Sequence, residues 1–292
     1  MSEPPPNARI FDPALRAKRR DRAAMHFSRS DFLYRHMLDE LIDRLGDVQR
    51  ELVDVLVIGC PDTSARDQLK AMGKQVICFD PGYVNARANK GVQGQEDALP
   101  FTDDSFDLVI ACGTLDSVND LPGALVLIRR VLRPDGLLLA AFAGAGSLPQ
   151  LRAALLVGEG DRASAHIHPQ VDVRSAGDLL TRAGFAMPVV DMDILDVRYG
   201  SILTLMTDLR HMGAGNVLTR QARPLTRTVL ERAVAHFAQA SAPDGKTTER
   251  FALLYLSGWK PDPTQPRAAK RGSATVSLAD ALGKGKGRSP TP

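Results

Sequence analysis

From residue 53 onward the chain becomes a succession of short apolar runs, at 53–58 (broken only by Asp54), 76–79, 108–112 and 137–142, separated by segments long enough to hold a helix. Runs of this length, rich in Val, Ile and Leu and without polar alternation, are what strands require when both faces of their sheet are covered. Parallel neighbours of that kind must also be joined by crossover helices. The pattern therefore predicts a doubly wound α/β fold built on a mostly parallel sheet.

The flanking sequence extends this core. Residues 1–12 are Pro-rich at their start and are expected to be disordered, whereas 13–48 carry helical periodicity that places Phe27, Phe32, Met37, Leu38, Leu41 and Leu45 on one apolar face, a helical cap. Residues 49–260 form the α/β domain. Its later part predicts helices near 148–157 and at 173–183, with Gly184 at the helix C-cap, and a strand around 188–197. Two more helical segments, 202–212 and 226–240, make a helical insertion at about 200–242, before a final apolar run at 251–256. Residues 261–292 are rich in Pro, Gly, Lys and Arg and read as a disordered basic tail.

Composition narrows the function classes. With 292 residues, 44% apolar and 24% charged, the chain can bury a core without metal or disulfide support. The formal net charge is only +3, and the excess sits in Arg16, Lys18, Arg19, Arg20 and Arg22 and in the C-terminal tail, so no nucleic-acid partner is expected. Cys60, Cys78 and Cys112 lie in or beside apolar runs and have no metal-type spacing, which fits small apolar side chains in a reducing compartment. His166 and His168 form a local pair without a visible third ligand, so a metal site is not expected. The longest uncharged stretch, 136–151, is too short to span a bilayer, and the N-terminus has no apolar signal segment. Glu3, Asp12 and Asp21 argue against a transit peptide, which leaves a cytoplasmic protein as the expectation.

In doubly wound folds ligands bind beyond the C-terminal ends of the strands. Gly59 follows the first strand and permits a tight turn there. Asp80 ends the second, about 20 residues after that loop, where a carboxylate either accepts from both ribose hydroxyls of an adenosine ligand or, with Pro81, opens a turn. In the segment 96–101, Asp97 is placed to accept from an adenine amino group while Leu99 or Phe101 packs on the ring, although a capped turn uses similar residues. Beyond the strand at 108–112, Asp116 is either a general base or cation-binding group, or the N-cap of the next helix.

The order of these motifs, completed by 106–110 and by Leu132, Arg133, Pro134, Asp135 and Gly136, resembles that of class I S-adenosylmethionine (SAM) methyltransferases. More narrowly the chain resembles the group that contains malonyl-carrier-protein methyltransferases and a mitochondrial complex I assembly factor described as a protein-arginine hydroxylase. The narrow match rests on Ile10, Phe11 and Asp12, on 118–122, on Asp208, Leu209, Arg210, Met212 and Gly213, and on 271–277. The resemblance implies a seven-stranded Rossmann-like sheet. It implies SAM as cofactor, held by Gly59, Cys60, Asp80, Asp97, Ala98, Leu99, Cys112 and Gly113, with Asp116 as the candidate catalytic residue. Its first implied activity is methyl transfer to an unidentified acceptor, on an acyl carrier protein or a protein substrate. The alternatives are an assembly factor that hydroxylates an arginine of a respiratory complex subunit, and a non-catalytic binding protein.

The chain departs from the family pattern in two places. The first loop has Val57 at its usual acidic position and Pro61 and Thr63 in place of glycines, which removes a backbone donor and crowds the path to the methionine part of SAM, so cofactor binding is expected to be weakened or lost. Asp116 and Ser117 stand where relatives tend to have His and Trp.

Overall fold

The structure, a computed structural model, describes residues 9–162, 164–220 and 224–262. The expected disordered tail from 263 and the first eight residues lie outside the described residues. The apolar runs become strands β1 (Asp54–Ile58), β2 (Gln75–Asp80), β4 (Phe106–Cys112) and β5 (Leu132–Ala143). Between them lie α3 (Ser64–Ala71), α4 (Tyr83–Ala88), the two-residue edge strand β3 (Val92–Gln93) and α5 (Leu121–Val131). There follow α6 (Pro149–Glu159), α7 (Val173–Ala183), β6 (Ala186–Tyr199), α8 (Ile202–His211), α9 (Arg227–Gln239) and β7 (Thr247–Trp259).

The strands form one seven-stranded sheet in the order β3-β2-β1-β4-β5-β7-β6. All pairs through β5 are parallel, while β7 runs antiparallel to both β5 and β6. Because successive side chains leave a strand on opposite faces, the sheet has two cores. Val55, Val57 and Ile110 meet Leu38, Leu41 and Phe237 on one side, and Leu56, Ile58 and Val109 meet Leu125, Ile128 and Leu180 on the other. This double burial explains why the central strands β1 and β4 carry no polar alternation, whereas the largely exposed edge strand β6 includes Asp191, Asp193 and Asp196.

Two motif segments tie the sheet at the end away from the ligand side. Asp107 accepts from the backbone N–H groups of Val53 and Asp54 at 3.0 and 2.9 Å, and Arg133 bridges Asp54 and Asp107 at 2.8 and 2.7 Å. Helix ends follow the local chemistry. Gly184 closes α7 at φ +85, a left-handed conformation that suits glycine. The N-terminus of α6 has no side-chain cap from its own chain neighbour Leu148, and Glu249 of β7 supplies one, accepting from the N–H groups of Gln150 and Leu151 at 3.1 and 2.7 Å.

The N-terminal region departs from the sequence expectation in two respects. Its periodicity is split into α1 (Pro13–Ala24) and α2 (Phe32–Gly46) by a turn in which Phe27 is buried and packs edge-on against Tyr34 at 5.6 Å. Residues 9–12 are built into the fold rather than loose: Phe11 is buried and bridges Leu218, and Asp12 caps α1 by accepting from the N–H of Leu15 at 2.9 Å. Helices α8 and α9 lie between β6 and β7, the last two strands in sequence. Among the described residues no helix is long and apolar enough to cross a membrane.

Candidate functional site

The C-terminal ends of β1, β2 and β4 meet at Gly59. Its φ is +83, and a Cβ there would stand 2.4 Å from the carbonyl oxygen of Cys112, so only glycine lets the loop after β1 lie against the end of β4. Tyr34 of α2 covers this loop and donates its hydroxyl to the Gly59 carbonyl at 3.3 Å, and burial pushes the phenol pKa up.

Asp80 ends β2 with no exposure, and its carboxylate is fully engaged. The N–H groups of Cys60 and Gly82 donate to it at 2.8 and 2.7 Å. Arg20 of α1 adds a two-pronged contact, Nε to Oδ1 at 2.9 Å and a terminal N–H to Oδ2 at 2.6 Å. Desolvation lowers the affinity of the Arg20 guanidinium for its proton, but the Asp80 charge more than offsets this and the net shift is upward.

One helical turn earlier, Arg16 repeats the arrangement on Glu96, which is also wholly buried. Its two terminal nitrogens donate to the two Glu96 oxygens at 2.6 and 2.8 Å, while Thr114 offers its carbonyl and hydroxyl to the same guanidinium at 2.6 and 2.8 Å. The Arg16 Nε donates to the Ser117 hydroxyl at 3.0 Å. Residues four apart share a helix face, so α1 presents both guanidinium groups to the strand ends at once.

The other predicted cofactor residues separate into groups. Cys60 contributes its backbone N–H to Asp80, while its thiol is buried, pushed up in pKa by that burial, and directed at the Val57 carbonyl at 3.4 Å. Cys112 is fully buried, with burial again pushing up its thiol pKa. Gly113, at φ +62, passes close to Met37 of α2. Asp97 is half-buried, its carboxyl raised by burial and then by the neighbouring Glu96, and Ala98 is exposed. Leu99 departs from the expectation: it is 5% exposed and packs in the core with Phe79 and Phe106, because the apolar layer under α5 extends to this turn.

Asp116 lies on the other side of the β4 end. Asp120, not Asp116, is the N-cap of α5, accepting from the Gly123 N–H at 2.8 Å. Asp116 instead borders a cavity of about 270 Å³ together with Arg19, Ser147, His168, Arg210 and Phe251. Its side chain makes no hydrogen bond or ion pair among the described residues. His168 accepts from the Val217 N–H through Nε2 at 3.0 Å and lies edge-on to Phe11, and burial depresses its pKa. His166 turns to Glu159 at 2.6 Å, so the two histidines serve different partners.

Arg16, Arg20, Glu96 and Thr114 are the residues that sequence reasoning missed. The available signal was the four-residue spacing of Arg16 and Arg20 within the basic run, which marks a helix face but names no partner.

Residues 56–140 match the family model described as a methyltransferase domain. Over 291 residues the chain is 34% identical to "Arginine-hydroxylase NDUFAF5, mitochondrial" of Danio rerio, with 95% of this chain and 91% of that protein aligned. It is 30% identical over 274 residues to the malonyl-[acyl-carrier protein] O-methyltransferase of Methylovorus sp. (strain MP688), which covers 87% of this chain and 91% of the relative. Among solved structures, the YcgJ protein of Bacillus subtilis shares the fold with a TM-score of 0.53 at 17% identity, over 78% of this chain and 99% of that one. The name of the Danio rerio relative is that of a mitochondrial protein, which overturns the expectation of a cytoplasmic location. That expectation rested on the missing signal segment and on Glu3, Asp12 and Asp21 as an argument against a transit peptide, and neither identifies a compartment.

Proposed function

This chain belongs to the methyltransferase-fold family that includes the arginine-hydroxylase NDUFAF5 and malonyl-[acyl-carrier protein] O-methyltransferases, and we propose that it is a SAM-binding enzyme acting on an acceptor held beside Asp116. The observation that carries the reading is Asp80. A buried carboxylate at the end of β2 offers both oxygens to a two-pronged donor, with the Cys60 N–H beside it. The vicinal hydroxyls of a ribose present the same pair of donors, so the acceptor set fits the adenosine part of SAM once Arg20 is out of the way. Gly59, Cys60 and Gly113 would then line the path of its methionine part, and Asp97 the adenine side.

SAM supplies a methyl group on a sulfonium, already activated for transfer. The protein's own contribution is therefore to position the acceptor and exclude water, with little demand for acid–base machinery. The cavity beside Asp116 suits this division, with Phe251 and other apolar side chains as walls and a few polar groups that fix orientation.

A second reading is favoured by one observation, the Asp116 carboxylate in the cavity wall, which makes no hydrogen bond or ion pair among the described residues and has His168 as an electrostatic neighbour. That carboxylate would hold a guanidinium there, as Glu96 holds Arg16, and so suits modification of an arginine on a partner protein. We propose further that residues 13–48 act as a cap on an α/β domain at 49–260, and that the basic tail from 261 engages a protein partner.

Calorimetric titration with SAM and S-adenosylhomocysteine tests the reading. Binding that falls in Asp80→Asn by roughly one to three kcal/mol supports it, since that is the usual worth of hydrogen bonds lost at a charged acceptor. Because Arg20 also holds Asp80, the deciding comparison is Arg20→Ala with and without Asp80→Asn, and equal affinity of those two proteins removes Asp80 from the site. Incubation with arginine-containing peptides and with acyl carrier protein, followed by mass measurement, separates methyl transfer from oxygen insertion.

A further inference from the structure

We propose that α1 is a displaceable internal ligand: its Arg20 guanidinium and the ribose of SAM are alternative occupants of the Asp80 carboxylate, and the cofactor binds only when α1 undocks. This inference rests on the SAM-binding reading of the cleft and goes beyond it, because it assigns the closed state to a particular helix.

The exclusion follows from counting lone pairs. A carboxylate has about four acceptor positions. On Asp80 two are taken by the backbone N–H groups of Cys60 and Gly82 and two by the Arg20 fork, with the Asn85 amide a more distant fifth donor at 3.4 Å. No position is left for a sugar hydroxyl. Neither arginine is at the surface: Arg20 is 8% exposed and Arg16 is 4% exposed. A Cβ at Gly213 would stand 3.5 Å from the Arg20 Cα and one at Gly82 would stand 3.0 Å from the Arg20 Cβ, so the backbone of α1 at Arg20 lies close over both turns and carries the guanidinium to Asp80.

The composition of α1 makes the helix removable. Its twelve residues bury only Arg16, Arg20 and Ala23, and its other apolar docking is Leu15 against the small cluster of Phe11, Val217 and Leu218. A helix attached by ion pairs instead of an apolar stripe draws its docking energy from the carboxylates it covers. A ligand that competes for one of those carboxylates therefore removes a large part of what holds the helix. The chain leaves α1 through Met25, 79% exposed, before Phe27 anchors the turn, so movement of α1 would pivot at Met25. Because α1 also carries Arg19 into the cavity beside Asp116, undocking opens the acceptor side in the same movement.

The test combines titration with hydrogen exchange on the full chain. S-adenosylhomocysteine is titrated into the wild type, Arg20→Gln, Arg20→Ala and the control Lys18→Ala, an exposed position on the same helix. Exchange of the amides of α1 (Pro13–Ala24) is followed in the wild type with and without ligand, a measurement that needs no substitution. If the plug is closed in about nine molecules of ten, its removal raises apparent affinity about tenfold, since apparent affinity scales with the competent fraction. The expected result is tighter binding by both Arg20 variants, none by the control, and faster exchange of α1 in the liganded wild type. Wild-type binding that leaves α1 protected, with Arg20→Gln equal or weaker, overturns the proposal while leaving the SAM reading intact, and weaker binding would make Arg20 part of the cofactor's own site. Absence of binding in every folded variant overturns both.

Discussion

The pair formed by Arg16 and Glu96 gives the sharpest quantitative expectation. Both side chains are buried, at 4% and 0% exposure, and they are joined by two charge-assisted hydrogen bonds. Arg16→Ala removes the guanidinium and leaves the Glu96 carboxylate in a dry pocket with the Thr114 hydroxyl as its remaining donor. Breaking a buried ion pair from one side costs about 3–5 kcal/mol, because the surviving charge has lost its compensation. At about 2–4 °C per kcal/mol for a chain of this size, the melting temperature should drop by roughly 6–20 °C. Replacing both partners, Arg16→Met with Glu96→Leu, should recover most of the loss, since an apolar pair of similar volume is often neutral relative to a buried ion pair. Urea unfolding followed by circular dichroism measures both variants. A single variant within about 1 kcal/mol of the wild type, at unchanged denaturant slope, would show that α1 is not docked on the strand ends in solution.

The remaining expectations concern other parts of the fold. Gly59→Ala should abolish accumulation of folded protein or cost upward of about 2 kcal/mol, because the new methyl meets the Cys112 carbonyl at a positive φ; soluble yield and thermal melting report it. His168 is held neutral by burial, so its folded pKa lies below that of the unfolded chain; its contribution to stability is complete above about pH 6.5 and is lost as pH falls below that value. His168→Gln should therefore flatten the fall of the urea midpoint between about pH 7 and 5, and an unchanged slope would remove His168 as its cause. Glu249→Leu leaves two N–H groups at the start of α6 without acceptors and should cost about 1–3 kcal/mol in unfolding free energy, whereas Glu249→Gln, which keeps an acceptor, should cost less.

Much of the fold was legible because it depends on local pattern. The runs at 53–58, 76–79, 108–112 and 137–142 are strands that are largely covered on both faces and so are mainly apolar, and each falls within one or two residues of its predicted bounds except β5, which begins earlier, at Leu132. Gly184 ends α7 as read, because a left-handed C-cap has a single-residue signature. The positions of Gly59 and Asp80 at the ends of β1 and β2 were also within reach, since ligand sites in this topology follow strand ends.

What tertiary structure alone decided is who meets whom across long separations. Nothing near Arg16 announces Glu96, eighty residues on, and nothing near Arg20 announces Asp80; the basic run reads locally as a solvated surface. Leu99 and Asp116 show the same division. The sequence assigned Leu99 to a ligand and left Asp116 between cap and cavity, and packing placed the first in the core and gave the cap of α5 to Asp120. Strand and helix periods are written within a few residues, so one chain determines them. The choice of partner for a charged side chain depends on which surfaces the folded layers bring together, and that exists only once the sheet has formed.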